Sequence, residues 1–356
     1  MRTRSLALWP LLPLIVGVLL ATTSATGQES ARYEGPIIDM HMHAFAADAM
    51  GPPPLAICAP FEQWPTWDQR QPYGAQFMTV SKDPTCANPV WSAETDDALM
   101  LRTIEVMERR NIIGVLSGTR EIVARWIEAA PERFIPGLGF TVADDTGFGA
   151  AVEDGVAPDS LRRLVESGAV EVLGEVINQY GGVAPDDERM EPYWALAEEL
   201  DIPVGIHVGP GPPGVRYLNA PGYRARLHSP LTLEDVLVQH PKLRVYAMHA
   251  GFPMIDDLLA MLYAHPQLHV DVAVLAFTQP RVAFHRFLRR IVESGFVDRV
   301  MWGSDQMVWP GVIEPSIEAI EEADYLTEEQ KRAILYDNAA RFLRLGEEEI
   351  ARHHAR

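Results

Sequence analysis

Residues 36–43 read Pro-Ile-Ile-Asp-Met-His-Met-His, an apolar run that ends in two histidines. Alternate residues of a strand point to the same face, so His41 and His43 are predicted to project together from the end of a buried strand. The core of a barrel strand would carry Val, Ile or Leu at such positions. The histidine pair therefore marks this strand end as a candidate functional site.

Seven further apolar runs follow, separated by amphipathic segments, and they are near-continuous, as in strands covered on both faces. Such alternation suits a closed barrel or an open doubly wound sheet. The first strand ends in histidines, not in the Gly-rich loop of an open sheet, so we predict an α/β fold, a (β/α)8 TIM barrel over residues 36–346. The predicted strands are Pro36–His43, Ile112–Ser117, Arg133–Phe140, Val170–Ile177, Ile202–Val208, Leu243–His249, Leu268–Val274 and Arg299–Ser304.

Residues 44–92 interrupt the alternation, because they are rich in Pro, Trp and Gly and hold no long periodic segment. They follow the carboxyl end of the first strand, so we expect this insertion to form a lid over the site. Cys58 and Cys86, the only cysteines, are predicted to form a disulfide within it. Four tryptophans wall the pocket or cap the core, and both alternatives stay open: Trp64, Trp67, Trp91 and Trp309. The polar tail Glu347–Arg356 is expected to fray.

The first 27 residues have the layout of a secretory signal peptide. Arg2 and Arg4 precede an apolar run, residues 6–21, and a small polar stretch follows. The run is short for a membrane span and contains two prolines, so we expect cleavage, no stable membrane span afterwards, and a periplasmic or secreted protein. An uncleaved membrane anchor is the alternative.

The chain is acidic, with 30 basic and 49 acidic residues and a formal charge of −19. Such a surface repels phosphate backbones and anionic lipid, which argues against a nucleic-acid partner. A small-molecule substrate is the expected partner, and a homo-oligomer is left open.

Other predicted strand ends also carry chemistry-bearing side chains. His207, His249 and Asp305 end three further strands, and Glu175 lies near the end of the fourth. A closed barrel gathers these ends around one mouth, where imidazoles and a carboxylate suit a zinc-type site with one open position. A lone histidine in a strand is more often a core residue than a ligand. Four histidines and one aspartate that all end strands favour a functional site instead. The other histidines are interpreted as surface, cap or loop residues: His228, His240, His265, His269, His285, His353 and His354.

Five motifs occur in an order that resembles the amidohydrolase superfamily, closest to the branch that includes aminocarboxymuconate-semialdehyde decarboxylase and related metal-dependent hydrolases. They are Ile38-Asp-Met-His-Met-His43, His207-Val-Gly, His249-Ala-Gly, Trp302-Gly-Ser-Asp305 and Asp337-Asn-Ala-Ala-Arg-Phe342. The resemblance covers roughly residues 36–345.

The resemblance implies roles for these residues. His41, His43, His207 and Asp305 would bind one divalent metal ion, which we expect to be Zn²⁺. Asp305 would also take a proton from the metal-bound water. His249 would bind a second ion or act as an acid–base residue. We predict one ion, because only Glu175 and Asp305 are obvious carboxylates at the mouth to compensate two cations.

Four further residues are candidates for the site, and the alternatives for three of them stay open. Asp39 shares the parity of the two histidines, and it either orients an imidazole or makes a structural hydrogen bond lower in the barrel. Glu175 binds metal, or positions substrate or a histidine. Arg216 and Tyr217 hold a substrate carboxylate, or Arg216 is a solvated loop residue.

Three functions are compatible with the sequence. The first is hydrolysis of an amide, ester or lactone of a small organic molecule by metal-bound hydroxide. The alternative is non-oxidative decarboxylation of an unsaturated or aromatic carboxylic acid on the same scaffold. The third is a non-catalytic exported binding protein, against which the complete set of ligand residues argues.

Overall fold

The computed structural model describes residues 32–144, 146–147, 152–209 and 211–356, so the predicted signal peptide lies outside the described residues. The strands are β1 Ile37–Ala44, β2 Ala56–Cys58, β3 Pro89–Trp91, β4 Ile112–Gly118, β5 Phe134–Thr141, β6 Glu153–Asp154, β7 Val172–Val176, β8 Val204–His207, β9 Val245–Met248, β10 Leu268–Asp271 and β11 Val300–Met301. The helices are α1 Tyr73–Lys82, α2 Asp96–Arg110, α3 Arg120–Ala129, α4 Pro158–Glu166, α5 Glu191–Glu199, α6 Glu234–Gln239, α7 Ile255–Ala264, α8 Leu275–Thr278, α9 Arg281–Glu293, α10 Ile313–Glu321, α11 Glu328–Arg332, α12 Asn338–Leu343 and α13 Glu347–His354.

Eight parallel strands form the predicted barrel, in the order β1-β4-β5-β7-β8-β9-β10-β11. Two backbone hydrogen bonds link the last strand region to the first. The Met40 amide donates to the Trp302 carbonyl at 3.1 Å, and the Asp305 amide donates to the His41 carbonyl at 2.8 Å. Each strand lies within one residue of a predicted apolar run or inside it, and the TIM-barrel fold is confirmed.

The barrel interior is packed with apolar side chains. One buried cluster joins residues of strands that lie far apart around the ring, such as Ile38, Val172 and Met301, which is only possible inside the barrel. Tyr336 and Phe342 extend this cluster from the C-terminal helical segment. A larger cluster fills the layer between the strands and the outer helices.

Helix α2 shows how local sequence sets the helical layer. Thr95 is the N-cap, and its side chain accepts a hydrogen bond from the Ala98 amide. Acidic residues occupy the first turn, where their negative charge interacts favourably with the helix dipole. The helix ends at Asn111, which adopts the left-handed conformation that Asn tolerates best after Gly. Leu99 and Ile104 are among the residues that this helix buries.

The insertion at residues 44–92 contains an antiparallel pair, β2 with β3, and helix α1. The predicted disulfide between Cys58 and Cys86 is present. Helix α1 was not predicted, and the reason is physical: none of its residues is buried, so it carries no apolar periodicity.

The prediction of a frayed tail is wrong. Residues 347–354 form α13, and His353 is buried there with its Nδ1 atom 3.0 Å from the Tyr336 hydroxyl. Within the described part of the chain, no helix combines the length and the apolar character needed to cross a membrane.

Candidate metal centre

The carboxyl ends of the barrel strands gather the predicted site residues. His41 and His43 lie in β1, Glu175 in β7 and His207 at the end of β8. His249 follows β9 directly, and Asp305 follows β11. All six residues are at least nine-tenths buried, and their ring nitrogens and carboxylate oxygens lie close together at the mouth of the barrel.

Two overlapping groups of three residues have donor atoms close enough to share an ion. The first is His41, His43 and Asp305, and the second is His41, Glu175 and His249. The Nε2 atom of His43 lies 3.1 Å from Oδ1 of Asp305, and the Nε2 atom of His41 lies 3.9 Å from the same oxygen. The predicted ligands His41, His43 and Asp305 are thus brought together.

Glu175 occupies the centre of the site. Oε1 of its carboxylate contacts Nδ1 of His207 directly and lies 3.4 Å from Nε2 of His249 and 3.8 Å from Nε2 of His41. Its other oxygen lies 3.8 Å from Nε2 of His43. The carboxylate therefore reaches all four imidazoles, which places it where a ligand or a neighbour of the ion would lie.

His207 lies on the side of Glu175 and His249. Its Nδ1 atom is 3.1 Å from Nε2 of His249, while its Nε2 atom is 3.1 Å from the Tyr180 hydroxyl and 3.0 Å from the Gly209 carbonyl oxygen. His207 therefore presents Nδ1 to the centre, and it belongs to neither three-residue group.

The electrostatics of the centre are dominated by carboxylates among imidazoles. Burial opposes ionisation of Glu175, but His207 and His249 outweigh it and hold the pKa of this carboxyl well below its usual range. Burial likewise opposes ionisation of Asp305, yet His41 and His43 lower its pKa. Burial opposes protonation of His41, but the neighbouring carboxylates raise its pKa to about 10. The centre therefore favours positive charge.

A buried ring nitrogen of His41 that lacks a hydrogen-bond partner in the described part of the chain tests whether a metal ion fits. Nε2 of His41 makes no hydrogen bond to any described residue. It lies between Oε1 of Glu175 and Oδ1 of Asp305, at 3.8 and 3.9 Å. Imidazole nitrogens and carboxylate oxygens are the ligands that Zn²⁺ and similar ions take in proteins, so the donor set fits a divalent ion.

Among the described residues, Asp39 makes no hydrogen bond to an imidazole ring. Its Oδ1 atom accepts hydrogen bonds from the backbone amides of His41 and Ser304, both at 2.9 Å, so it joins β1 to the loop after β11. The pairing of β1 with β4 shifts register between Asp39 and Met42, which breaks the alternation on which the predicted parity relied. Burial raises the pKa of Asp39 to about 7. These contacts support the structural interpretation, and the role of Asp39 stays a prediction.

The carboxylate that contacts the His41 imidazole is Asp271, which the sequence pattern did not reveal. Its Oδ2 atom lies 3.1 Å from Nδ1 of His41. Asp271 falls inside the predicted strand Leu268–Val274, but the observed strand ends at Asp271. Because the predicted strand is three residues too long, it did not place Asp271 at a strand end, where site residues were sought.

His228 is a loop residue, as predicted, but its burial was not predicted. It lies in the loop after β8 but is completely buried, with its ring centroid 5.4 Å from that of His207 and 4.7 Å from that of Tyr223. Burial lowers its pKa to about 3. Loop position alone does not reveal that the loop folds back over the barrel.

The remaining predicted residues lie farther out. Arg216 is exposed and donates to the Pro221 carbonyl, and Tyr217 is 57% exposed, with its ring 5.0 Å from that of Trp67. Trp309 caps the core, because it is buried and its Nε1 donates to the Leu55 carbonyl at 2.8 Å. Trp64 and Trp91 are exposed.

Comparisons with known proteins extend this picture. No curated protein matches the chain. A probable 2-pyrone-4,6-dicarboxylic acid hydrolase from Acinetobacter baumannii has a similar structure at 16% identity, a TM-score of 0.52, and coverage of 87% of this chain and 99% of that chain. A 5-carboxyvanillate decarboxylase from Sphingomonas paucimobilis is similar at 15% identity, with a TM-score of 0.51 and coverage of 87% and 99%.

A dihydroxybenzoic acid decarboxylase from Polaromonas sp. JS666, solved with bound manganese, is similar at 15% identity, with a TM-score of 0.52 and coverage of 88% of this chain and 99% of that chain. Identities this low establish a shared fold and nothing about activity. The amidohydrolase family model, by contrast, matches residues 38–345, which is most of the chain. That range begins at β1 and includes every residue of the candidate centre, and the chain therefore belongs to the amidohydrolase family.

Proposed function

We propose that this protein is a metal-dependent enzyme that acts on a small organic acid at the mouth of the barrel. The observation that carries the proposal is the buried Nε2 atom of His41, which has no hydrogen-bond partner among the described residues and lies 3.8 and 3.9 Å from the carboxylates of Glu175 and Asp305. His41, His43, His207 and Asp305 would hold one divalent ion, for which we propose Zn²⁺. His207 would contribute Nδ1, the ring nitrogen that contacts Glu175 and His249.

A bound ion would supply a Lewis acid and would lower the pKa of water. Asp305 would accept a proton at its carboxylate. Against the effect of burial, the neighbouring His41 and His43 lower the pKa of this carboxylate and keep it ionised. His249 has Nδ1 3.2 Å from the Ala273 carbonyl oxygen and directs Nε2 into the centre. A histidine held in this way can take or give a proton at Nε2, which suits an acid–base role.

The reaction that we propose is non-oxidative decarboxylation of an aromatic or unsaturated carboxylic acid. Two of the three similar structures described above are decarboxylases of ring acids, which supports this reaction over the hydrolysis expected first from the sequence. The carboxyl group would leave as CO2, and the carbon would take its proton from His249 or Asp305. The motif resemblance to a decarboxylase branch points the same way.

Hydrolysis of an amide, ester or lactone is the second candidate. The observation that favours it is the central position of Glu175, whose carboxylate reaches all four imidazoles and adds a second buried base beside Asp305. The similarity to a probable dicarboxylic acid hydrolase also supports it.

We further propose that the insertion is a lid. At one side, its Phe61 amide donates to the carbonyl of Thr278, after β10, and Trp309, after β11, donates to Leu55. At the other side, the Tyr73 hydroxyl donates to the Pro213 carbonyl, after β8, at 2.6 Å. Strand β8 lies three places from β11 in the ring of eight, so these contacts span the mouth.

Two loop residues are proposed to contact the substrate. Arg216 and Tyr217 follow β8 beside the lid, and Arg216 retains donors besides the one that contacts Pro221. They would hold a carboxylate that does not react. Replacing Arg216 by Gln is then expected to raise KM about 10-fold with kcat largely retained.

Export remains a proposal, supported by the signal-peptide layout and by the disulfide, since disulfides persist in oxidising compartments. Fractionation of expressing cells would test it. The mature protein should be found outside the cytoplasm with an N-terminus near residue 28.

A substrate screen decides between the two reactions. Protein depleted of metal and then loaded with Zn²⁺ or Mn²⁺ is incubated with hydroxybenzoic acids, other unsaturated acids, lactones, esters and amides, and CO2 and new acid are measured. We expect metal-dependent CO2 release from a ring acid. Release of acid from a lactone, ester or amide without any CO2 would favour hydrolysis. Turnover that does not depend on metal would contradict both.

A further inference from the structure

Asp271 is completely buried and uses both carboxylate oxygens inside the site. Its Oδ1 atom accepts the backbone amides of His249 at 2.8 Å and of Ala273 at 3.0 Å. Its Oδ2 atom lies 3.1 Å from Nδ1 of His41. The Asp271 side chain therefore contacts both His41, a predicted metal ligand in β1, and the turn that carries His249.

The contact with His41 has a chemical consequence. A carboxylate can only accept, so Nδ1 of His41 must carry the hydrogen. The lone pair of a neutral His41 ring then lies on Nε2, the atom that faces Glu175 and Asp305 without a hydrogen bond to a described residue. Ligand histidines of metal sites commonly hold their other ring nitrogen in this way.

The contact with the turn fixes His249 as well. His249 has a φ of 61°, in the left-handed region that residues other than Gly rarely adopt. The hydrogen bond that the His249 amide donates to Asp271 holds this backbone in place. Asp271 also accepts the amide of Ala273, and the Ala273 carbonyl oxygen lies 3.2 Å from Nδ1 of His249. Both histidines are thus oriented from one buried carboxylate.

We propose that Asp271 is a positioning residue of the metal centre, which sets the His41 tautomer that can bind an ion and aims His249 without touching the ion itself. This inference rests on the proposed metal-dependent function.

The variant Asp271→Asn separates tautomer control from a merely structural role. The two backbone amides need an acceptor, so the Asn oxygen takes the place of Oδ1. Its NH2 group then occupies the place of Oδ2 and donates to Nδ1 of His41. That ring must carry its hydrogen on Nε2, where it blocks the lone pair needed for the ion. The shape of the site is nearly unchanged.

The experiment measures the affinity of metal-depleted protein for Zn²⁺ by competition with a chelating dye. We expect Asp271→Asn to weaken binding about 10- to 100-fold, as for other partners of ligand histidines. The matched control is Asp257→Asn, on α7, whose Oδ2 accepts the Ser229 hydroxyl at 2.7 Å, and it should bind as the wild type does. Thermal unfolding of the metal-depleted proteins reports whether the fold is kept.

Nitrogen-15 NMR of the Zn²⁺-loaded wild type provides a second readout that needs no variant. We expect His41 to carry its hydrogen on Nδ1 and to bind the ion through Nε2. Ligation of the ion through Nδ1 of His41 would overturn the inference, even if Asp271→Asn failed to fold. Wild-type Zn²⁺ affinity in a folded Asp271→Asn protein would overturn it too. A wild type that binds no divalent ion would instead contradict the proposed function.

Discussion

His353 shows at the scale of one residue how burial sets a pH dependence. Burial, assisted by the charges of Arg356 and Arg352, lowers its pKa to about 4. A neutral ring beside the Tyr336 hydroxyl is therefore favoured in the folded chain. The unfolded chain binds a proton near the ordinary pKa of about 6.5, so acid favours unfolding.

We predict that the neutral His353 ring contributes its full stabilisation of the fold above about pH 6.5. This contribution to the free energy of unfolding is lost as the pH falls towards 4. At pH 5 the loss is at most about 2 kcal/mol, from the linkage relation. Urea unfolding at pH 7.5 and pH 5 measures it. His353→Asn should lose less stability than the wild type over this interval, and His354→Asn, at the exposed neighbouring position, should match the wild type. Equal losses in all three proteins would refute the assignment.

The residue scale is also where sequence reasoning was least complete. The histidines at strand ends could be predicted, because polar residues there contradict a barrel core. Asp271 and His228 could not, since each depends on where a strand stops or a loop turns back. The same limit applies to Asp39, because the register of β1 shifts between Asp39 and Met42 and the sequence pattern does not show that shift.

At the scale of elements, the proposed lid contacts the loop after β8 at several points, and one of them is the close approach of Tyr73 to Gly214. Gly214 has a φ of 73°, and a Cβ atom there would lie 2.2 Å from the ring of Tyr73. The Gly214→Ala variant should therefore push the lid away from the mouth, with cleavage by trypsin within residues 59–88 becoming faster.

Gly168→Ala is the matched control, because Gly168 has the same φ of 73° and nothing within 4 Å of the added Cβ. Backbone strain is then equal in both variants, and only the contact differs. Proteolysis that is equally fast in the two variants would show that Tyr73 and Gly214 do not hold the lid.

The disulfide stabilises the same element by restricting the unfolded chain. Cys58 and Cys86 are 28 residues apart, and closing a loop of this size contributes about 3.5 kcal/mol in the chain-entropy model. We predict that Cys58→Ser with Cys86→Ser lowers the free energy of unfolding by an amount of this order. Calorimetry or urea unfolding measures it, with the reduced wild type as a control that should behave alike. Unchanged stability would mean that the folded insertion is held by its other contacts alone.

At the scale of the whole molecule, the order of the eight strands could be predicted because strands covered on both faces leave continuous apolar runs. The helix α1 and the tail helix α13 could not, because one buries none of its residues and the other anchors through the single buried His353. The barrel gathers residues more than 260 positions apart, such as His41 and Asp305, into one buried centre.

The single-ion prediction concerns the charge of this centre as a whole. Two cations about 3.5–4 Å apart need strong anionic compensation, and Glu175 and Asp305 are the two carboxylates that belong to the candidate ligand groups. Glu175 reaches all four rings, so it is the residue that would bridge a second ion if one were bound.

Elemental analysis after exhaustive dialysis tests the proposed metal centre most directly. We predict about one equivalent of a divalent metal per chain, as for a catalytic site with one open position. His43→Ala should lose most of this metal and keep its fold, because it lacks the Nε2 atom that faces Asp305. A wild type without metal, or a fully loaded His43→Ala protein, would contradict the proposed centre. Two equivalents that fall to one in Glu175→Ala would contradict the single ion.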